Sequence, residues 1–143
     1  MIVVATIRNA KHTDCPACQK LGRVPEIAIA PNYFLPLEYY QAIVRGKNIF
    51  LVAEIQKKVV GFVIAEKIQS GFLIQYLMVS KRYQRQGIGR TLLETVEREA
   101  KKRWVYFLLA YAELKSPGMN KLHKQLGYHS SHVTREWSKG LTK

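Results

Sequence analysis

The residues whose types and spacing most clearly suggest a binding site follow an apolar run at 72–79. They precede a segment with helical periodicity. The junction reads Gln84-Arg85-Gln86-Gly87-Ile88-Gly89-Arg90. The start of a helix presents unpaired backbone N–H groups and the positive end of the helix dipole, which together attract phosphate. Glycines allow the backbone to approach an anion closely, and the two arginines add positive charge. The segment therefore predicts a pyrophosphate site.

Two common phosphate-binding loops do not fit this segment. A Walker A loop requires Lys directly after its last glycine, whereas Arg90 follows Gly89 here. A dinucleotide-binding loop requires a third glycine at the position that Leu92 occupies. The remaining pattern, Gln-x-x-Gly-x-Gly after a strand that ends Leu-Met-Val, resembles motif A of the GNAT superfamily of acyl-CoA-dependent N-acetyltransferases.

The elements that must position this loop can be predicted from hydrophobic periodicity. Apolar residues at 88, 92, 93, 96 and 100 repeat with helical spacing, so a helix is expected over 87–103. Runs rich in Ile and Val predict strands at 1–8, 48–55, 59–68, 72–79 and 104–112. Gly61 predicts a bulge inside the third of these strands. Shorter helices are expected at 14–21, 36–45 and 117–126, each followed by a glycine.

The resulting order of strands and helices is that of GNAT proteins, and the likeness covers essentially the whole chain. It implies an α/β fold (α+β mixed sheet), the GNAT acyl-CoA N-acyltransferase fold, with a central mixed sheet of six to seven strands and about four helices. A last strand is expected near 133–137. The chain has 143 residues, the length of one ordinary domain, so a single N-acetyltransferase domain is predicted over 1–143.

The resemblance implies that acetyl-CoA is a co-substrate and indicates which residues bind it. In GNAT proteins, freed backbone groups at the end of the fourth strand bind the pantetheine arm, and the glycine loop binds the pyrophosphate. The matching strand residues are Leu77, Met78 and Val79. The matching loop residues are Gln84, Arg85, Gln86, Gly87, Ile88, Gly89 and Arg90. A family asparagine early in the last helix corresponds to Ser116, with Asn120 as the alternative.

Two catalytic positions depart from the family pattern. The last helix of relatives ends Tyr-x-x-Leu-Gly-Phe, where the Tyr protonates the departing thiolate, but this chain reads His123-Lys-Gln-Leu-Gly-Tyr128. An imidazole can donate that proton, so His123 is the candidate general acid. Many relatives carry a Glu in the fourth strand as general base, and 72–79 contains none. Glu113 is the nearest candidate, with Glu54, Glu66, Tyr76 or Tyr111 as alternatives.

The resemblance implies direct transfer to a primary amine without a covalent acyl-enzyme, and no Cys lies on the strands that would meet at the thioester. Residues 22–47 and 128–137 would form the acceptor site, and they are aromatic and basic with few acids. This composition disfavours polycationic acceptors and favours a neutral or acidic amine or a protein N-terminus. The candidate acceptor-binding residues are Tyr33, Phe34, Tyr76 and Tyr111, for each of which core packing is the alternative.

The formal net charge of +13 favours acidic partners, of which coenzyme A is one and nucleic acid another. Two of the three densest basic clusters surround the predicted phosphate site, so nucleic acid is disfavoured without being excluded. No apolar run reaches the roughly 20 residues that a membrane span requires, so no membrane partner is expected. Residues 1–8 resemble a strand and not a leader, which favours a cytoplasmic protein. The oligomeric state stays open, a homodimer included.

Two questions stay open at this point. Cys15-Pro-Ala-Cys18 lacks the second ligand pair of a structural zinc site, so no metal is predicted, with a metal or a local disulfide as the alternatives. The missing strand Glu and the His123 exchange also allow a second function, a non-catalytic GNAT-fold module. Such a module would sense acyl-CoA or dock on nucleic acid.

Overall fold

The computed structural model describes residues 4–25, 32–111 and 117–131, together with 135, 137 and 139–141. By its internal contacts the chain divides into two compact units, Met1–Tyr111 and Ala112–Lys143. The first unit holds the sheet and the glycine loop, and the second holds the last described helix. No helix within these ranges is long and apolar enough to cross a membrane.

The first unit is built on a mixed sheet of five strands in the order β1-β2-β3-β4-β5. The strands are β1 (Thr6–Asn9), β2 (Ile49–Ile55), β3 (Lys58–Ile68), β4 (Gly71–Val79) and β5 (Leu108–Ala110). Neighbouring strands are antiparallel as far as β4, and β5 runs parallel to β4. The helices of this unit are α1 (Cys15–Leu21), α2 (Leu37–Arg45) and α3 (Ile88–Lys102).

The predicted mixed α/β architecture is confirmed, with fewer strands than expected. The described residues contain five strands where six to seven were predicted, and the strand expected at 133–137 lies largely outside them. The prediction of a strand over 104–112 was wrong in extent, because β5 has three residues. Residues 103–105 instead close the preceding helix, since the N–H groups of Arg103, Trp104 and Val105 donate to carbonyls of its last turn.

The core lies on both faces of the sheet. On one face, α1 and α2 form a buried cluster with β2 and β3, made of Cys15, Cys18, Leu35, Tyr40, Ile43, Phe50, Val52, Phe62 and Ile64. On the other face α3 is buried through its residues 88, 92, 93, 96 and 100, the apolar stripe that the sequence predicted. Side chains of β4 alternate between the two faces: Tyr76 and Met78 pack against the α1–α2 cluster, and Leu77 and Val79 lie beside Gly89 of α3.

Both cysteines are free thiols that are fully buried in the α1–α2 cluster. Burial raises the pKa of the Cys15 thiol and that of the Cys18 thiol. In the part of the chain that the structure describes, no three His, Cys, Asp or Glu side chains cluster closely enough to hold a metal ion. A buried thiol with a raised pKa is a poor nucleophile, so in this structure the pair serves as core packing.

An ionic network ties β1 to the start of α1 and to β2. The two Nη atoms of Arg8 donate to the two carboxylate oxygens of Asp14 at 2.8 and 3.0 Å. Its Nε and Nη2 also donate to Glu54 at 3.1 and 2.7 Å. The hydrogen bonds from Arg8 lower the pKa of the Asp14 carboxyl despite its burial. Glu54, one of the alternative general bases, is therefore engaged as a structural partner.

Candidate active site

β4 separates from its parallel neighbour partway along its length. Phe72, Leu73 and Ile74 pair with residues 108–110 of β5, and this pairing extends no further within the described residues. On its other edge β4 stays paired with β3 as far as Val79, which lies opposite Gly61. Because a strand carries hydrogen-bonding groups on both edges, residues 77–79 present one edge to which an extended ligand can add as a strand would.

A β-bulge marks the point of separation. Ile64 of β3 lies opposite Tyr76, and the next residue, Ala65, lies opposite Ile74, so that Gln75 is the extra residue on β4. A bulge bends its strand and increases the local twist, which explains why β4 leaves β5 at this position. The sequence carried no signal for it, because Gln is neither a turn residue nor a conformational exception.

The bulge predicted at Gly61 is confirmed, and it lies beside the end of β4. Ala53 lies opposite Gly61 and Glu54 lies opposite Val59, so that the residue between them on β3 is unpaired. A Cβ at Gly61 would lie 2.8 Å from the carbonyl oxygen of Met78. Glycine is required here because it lets the end of β4 approach β3 closely.

The chain turns sharply between β4 and α3. The N–H of Ser80 donates to Val60 O at 2.7 Å, and a short 3-10 turn follows over Lys81–Tyr83. The side chain of Gln84 reaches back, and its Nε2 donates to Val79 O at 2.9 Å. Arg85 and Gly87 have left-handed backbone, with φ of +62° and +84°. These contacts hold the loop against the end of β4 and place the start of α3 beside it.

The start of α3 presents a row of backbone donors. The first N–H that bonds back is that of Thr91, which donates to Gly87 O at 3.0 Å, and no side chain caps the helix. Within the described ranges, the N–H groups of residues 85–90 donate to no backbone or side-chain acceptor. Unpaired N–H groups at a helix N-terminus form an anion site.

The two loop glycines have different reasons to be glycine. Gly87 needs its left-handed φ, and no atom lies within 4 Å of the position that a Cβ would take. Gly89 has ordinary helical backbone, and a Cβ there would make normal contacts, 3.7 Å from Leu77 and 3.9 Å from Val79. Neither strain nor packing requires glycine at position 89. A ligand that approaches the backbone would require it, and a pyrophosphate group fits these residues.

Positive charge surrounds this anion site. The side chains of Lys81, Arg82 and Arg85 are exposed. Arg90 is less available than the sequence suggested, because its Nε lies 3.3 Å from Glu94 Oε1. The exposed cations would attract a polyanion from a distance, while the backbone N–H groups would fix it.

A polar cluster lies at the bulge, on the α1–α2 face of the sheet. Tyr39 of α2 donates its hydroxyl proton to Glu66 Oε1 at 2.7 Å, and Gln75 Nε2 donates to Glu66 Oε2 at 3.3 Å. The ring of Tyr76 meets that of Tyr39 edge to face at 5.8 Å. Burial, and then the hydrogen bond to Glu66, raises the pKa of Tyr39, so its hydroxyl stays protonated and acts as a donor.

The predicted acceptor-binding residues are dispersed. Tyr76 belongs to the cluster at the bulge. Tyr33 and Tyr111 are 60% and 63% exposed, and Phe34 is half-buried. Across the described parts of the chain, none of these three makes a ring contact with Tyr39 or Tyr76.

The second unit contains α4 (Pro117–Gln125). The glycine predicted after this helix, Gly127, has left-handed backbone with a φ of +87°. His123 Nδ1 lies 2.8 Å from Met119 O. A carbonyl only accepts, so the proton of a neutral imidazole lies on Nδ1 and the lone pair lies on Nε2. Nε2 is buried and has no hydrogen-bond partner among the described residues, and the ring packs edge to face on Tyr128 at 5.0 Å.

The structure tests no role of the remaining predicted site residues. Glu113, the candidate base, and Ser116, a candidate cofactor ligand, lie outside the described residues. Asn120 lies on α4 and is exposed. The assignments of His123, Glu113, Ser116 and Asn120 therefore stay predictions.

Comparison with known families decides the relationship. The model of the acetyltransferase (GNAT) domain matches residues 46–130, a range that includes β3, β4, the glycine loop and α3. The chain belongs to the GNAT acetyltransferase family. A comparison with curated proteins finds no significant match.

Solved GNAT-type structures share this fold. Ribosomal-protein-alanine N-acetyltransferase from Brucella melitensis is 27% identical, with a TM-score of 0.75 over 85% of this chain and 83% of that one. The ribosomal-protein-S18-alanine N-acetyltransferase from Escherichia coli is 24% identical, with a TM-score of 0.76 over 90% and 80% of the two chains. A putative acetyltransferase from Salmonella typhimurium, solved with acetyl-CoA, is 22% identical, with a TM-score of 0.74 over 86% and 78%.

Proposed function

We propose that the chain is a single-domain, cytoplasmic N-acetyltransferase that moves the acetyl group of acetyl-CoA directly to a primary amine of a small molecule or a protein N-terminus. The observation that carries the proposal is the row of N–H groups at residues 85–90, next to the strand edge that β5 leaves open. Membership of the GNAT family supports it. So does the fold shared with a relative that was solved with acetyl-CoA.

In this proposal the backbone provides most of the binding to acetyl-CoA. The N–H groups of residues 85–90 donate to the pyrophosphate oxygens, and the exposed side chains of Lys81 and Arg85 add charge. Residues 77–79 offer their open edge to the amides of the pantetheine arm, as they would to a further strand. The thioester then lies toward the start of this edge, near Gln75.

The acceptor nitrogen must lose a proton before it attacks the thioester carbonyl, and Glu113 stays the predicted base. A backbone N–H near Leu77 or Met78 would face the carbonyl oxygen and stabilise the negative charge of the tetrahedral intermediate. The C–S bond then breaks, the attacking nitrogen gives up its second proton to the base or to water, and the thiolate takes a proton, so that the neutral amide and the free thiol leave. Positioning of the amine against the thioester supplies further rate.

His123 is the predicted donor of that last proton. Because its Nδ1 proton is bonded to Met119 O, the ring can donate from Nε2 only after Nε2 has also been protonated. His123→Phe should therefore lower kcat about 10²-fold and leave the Kd for acetyl-CoA unchanged. His123→Tyr restores the usual family residue and should keep most of the turnover. Equal kcat values for His123→Phe and the native chain would exclude this role.

Calorimetric titration with acetyl-CoA tests the proposal, with Gly89→Glu as the test variant and Gln69→Glu as the matched control. Both variants gain one carboxylate, but Gln69 lies in the exposed turn at the opposite end of β4. We expect micromolar binding that the control retains and the test variant loses, followed by release of thiol when a primary amine is added.

Other outcomes point to other functions. No binding to the native chain would refute the enzyme proposal. Binding of a polynucleotide whose affinity falls steeply with salt would then favour a nucleic-acid-docking module, because such a slope counts the phosphates contacted. Acetyl-CoA binding without turnover of any amine would favour a module that senses acyl-CoA.

A further inference from the structure

Among the described carboxylates of the first unit, Glu66 alone is held by hydrogen bonds from neutral side chains, whereas Glu38 and Glu97 form neither an ion pair nor a side-chain hydrogen bond. Asp14, Glu54, Glu94 and Glu99 each form an ion pair with Arg or Lys. Glu66 forms none within the described residues, and its two oxygens instead accept hydrogen bonds from Tyr39 and Gln75. Both donors are neutral, so they orient the carboxylate, and no cation in the described parts of the chain compensates its negative charge. The chain has a net charge of +13, so cations are abundant, yet no described Lys or Arg pairs with Glu66.

The surroundings of Glu66 suit a cation. A carboxylate has about four acceptor positions, and two of those on Glu66 are used, which leaves capacity for further donors. Its side chain is partly exposed, so a ligand can reach it. Tyr39 reaches it through its hydroxyl, and the ring of Tyr76 packs edge to face on that of Tyr39.

The position of Glu66 relative to the anion site is also informative. Gln75, which binds Glu66, is the bulge residue at which β4 leaves β5. The phosphate-binding loop follows Val79, four residues further along β4, or about 13 Å at the usual rise of a strand. A ligand that extends along this edge from the loop would have its far end near Gln75, whose side chain binds Glu66 on the neighbouring strand β3.

We propose that Glu66 is the acceptor-recognition group of the enzyme and binds the ammonium of a primary amine that carries a single positive charge. This inference rests on the proposed function, since it places the amine where the thioester would lie. Tyr39 and Gln75 act as positioning residues that hold the carboxylate. Among the described residues of this cluster a second ammonium on the acceptor would find no second carboxylate, and the net charge of +13 would repel it.

The first test is a binding measurement that needs no turnover. The protein carries ¹³C at the glutamate side-chain carboxyl, is saturated with CoA, and is titrated with glycinamide while NMR spectra are recorded. The signal of Glu66 is assigned by its absence from Glu66→Gln. We expect a saturable shift of this signal with glycinamide and none with the neutral N-acetylglycinamide. An unmoved signal would overturn the proposal, and tighter binding of 1,4-diaminobutane than of glycinamide would overturn the single-charge class.

The second test is kinetic and uses a matched control on α2. Glu66→Gln removes the charge and keeps the shape, whereas Glu38→Gln makes the same change at an exposed carboxylate next to Tyr39 in sequence. For acetylation of glycinamide, Glu66→Gln should raise KM about ten- to a hundredfold, and the control should leave it unchanged. Tyr39→Phe keeps the charge and loosens its orientation, so it should raise KM by a smaller factor than Glu66→Gln does.

A separate titration distinguishes failure of the proposed function from failure of the role of Glu66. The Kd for acetyl-CoA should be the same in Glu66→Gln, Glu38→Gln and the native chain. If the native chain binds no acetyl-CoA, the proposed function fails whatever Glu66 does. If acetyl-CoA binds and amines are acetylated, but Glu66→Gln matches the control, the role of Glu66 fails and the proposed function stands.

Discussion

Replacing Gly87 and Gly89 by Ala, one at a time, should have opposite effects on stability. Gly87 has a φ of +84°, and no atom lies within 4 Å of the position that its Cβ would take. Ala at this position would be strained by about 1–2 kcal/mol without a clash. Gly87→Ala should therefore lower the free energy of unfolding by about that amount, and the melting temperature by roughly 2–4 °C per kcal/mol.

Gly89 differs because it is the second residue of α3 and has ordinary helical backbone. A Cβ there would meet Leu77 at 3.7 Å and Val79 at 3.9 Å, both normal contacts. Ala forms helices better, so Gly89→Ala should raise the free energy of unfolding by about 0.5–1 kcal/mol. The new methyl group would nevertheless obstruct a phosphate. The loss of about one charge-assisted hydrogen bond would raise the Kd for acetyl-CoA about tenfold or more.

Urea unfolding of the ligand-free protein measures the change in the free energy of unfolding, and calorimetric titration measures the change in the Kd for acetyl-CoA. Gly118→Ala is the matched control, because Gly118 is the second residue of α4 and no atom lies within 4 Å of its Cβ position. This control should gain stability and bind acetyl-CoA as the native chain does. Native-like binding by Gly89→Ala would refute a phosphate site at the start of α3. A loss of stability in that variant would refute the packing argument.

Three further predictions concern the scaffold. Gly61→Ala puts a Cβ 2.8 Å from Met78 O, so it should displace the end of β4, lower the free energy of unfolding by about 1–3 kcal/mol and raise the Kd for acetyl-CoA in the same two titrations. Asp14 has a lowered pKa in the folded chain, so its contribution to stability is present above the unfolded pKa of about 4 and is lost as the pH falls through the folded value. The difference in urea-unfolding free energy between the native chain and Asp14→Asn should therefore shrink below about pH 4. A difference that grew as the pH fell would contradict a lowered pKa for Asp14. Cys15 and Cys18 are fully buried, so an aromatic disulfide reagent should react with them only after unfolding, and rapid reaction of the folded chain would show that they are accessible.

Much of the fold could be predicted because its determinants are local. The apolar residues from 88 to 100 repeat with the period of a helix, and they are buried on one face of α3. The glycines at 22, 46 and 127 follow α1, α2 and α4 as predicted. The two strands that pair as the β2–β3 hairpin were also predicted, because two β-branched runs flank a short polar segment. Each of these signals spans only a few residues.

The geometry around the site depended on contacts between distant segments. Tyr39 and Glu66 are 27 residues apart, and Arg8 and Glu54 are 46 apart. The register of the sheet and the docking of α2 bring these pairs together, and no local pattern encodes either of them. For the same reason the strand predicted over 104–112 was too long, because the length of β5 depends on where β4 turns away from it.

By itself the sequence determined the place of the glycine loop between a strand and a helix and the approximate helix boundaries, since spacing within a few residues specifies these features. The GNAT fold followed from the resemblance of this loop and of the element order to that family. Only the tertiary structure decided where β4 leaves β5, at the bulge of Gln75. It also decided that Gly87 is required by its backbone while nothing in the packing requires Gly89. Finally, it decided that Glu66 is held by neutral donors and Glu54 by Arg8. These features arise from register and packing between segments that are far apart along the chain.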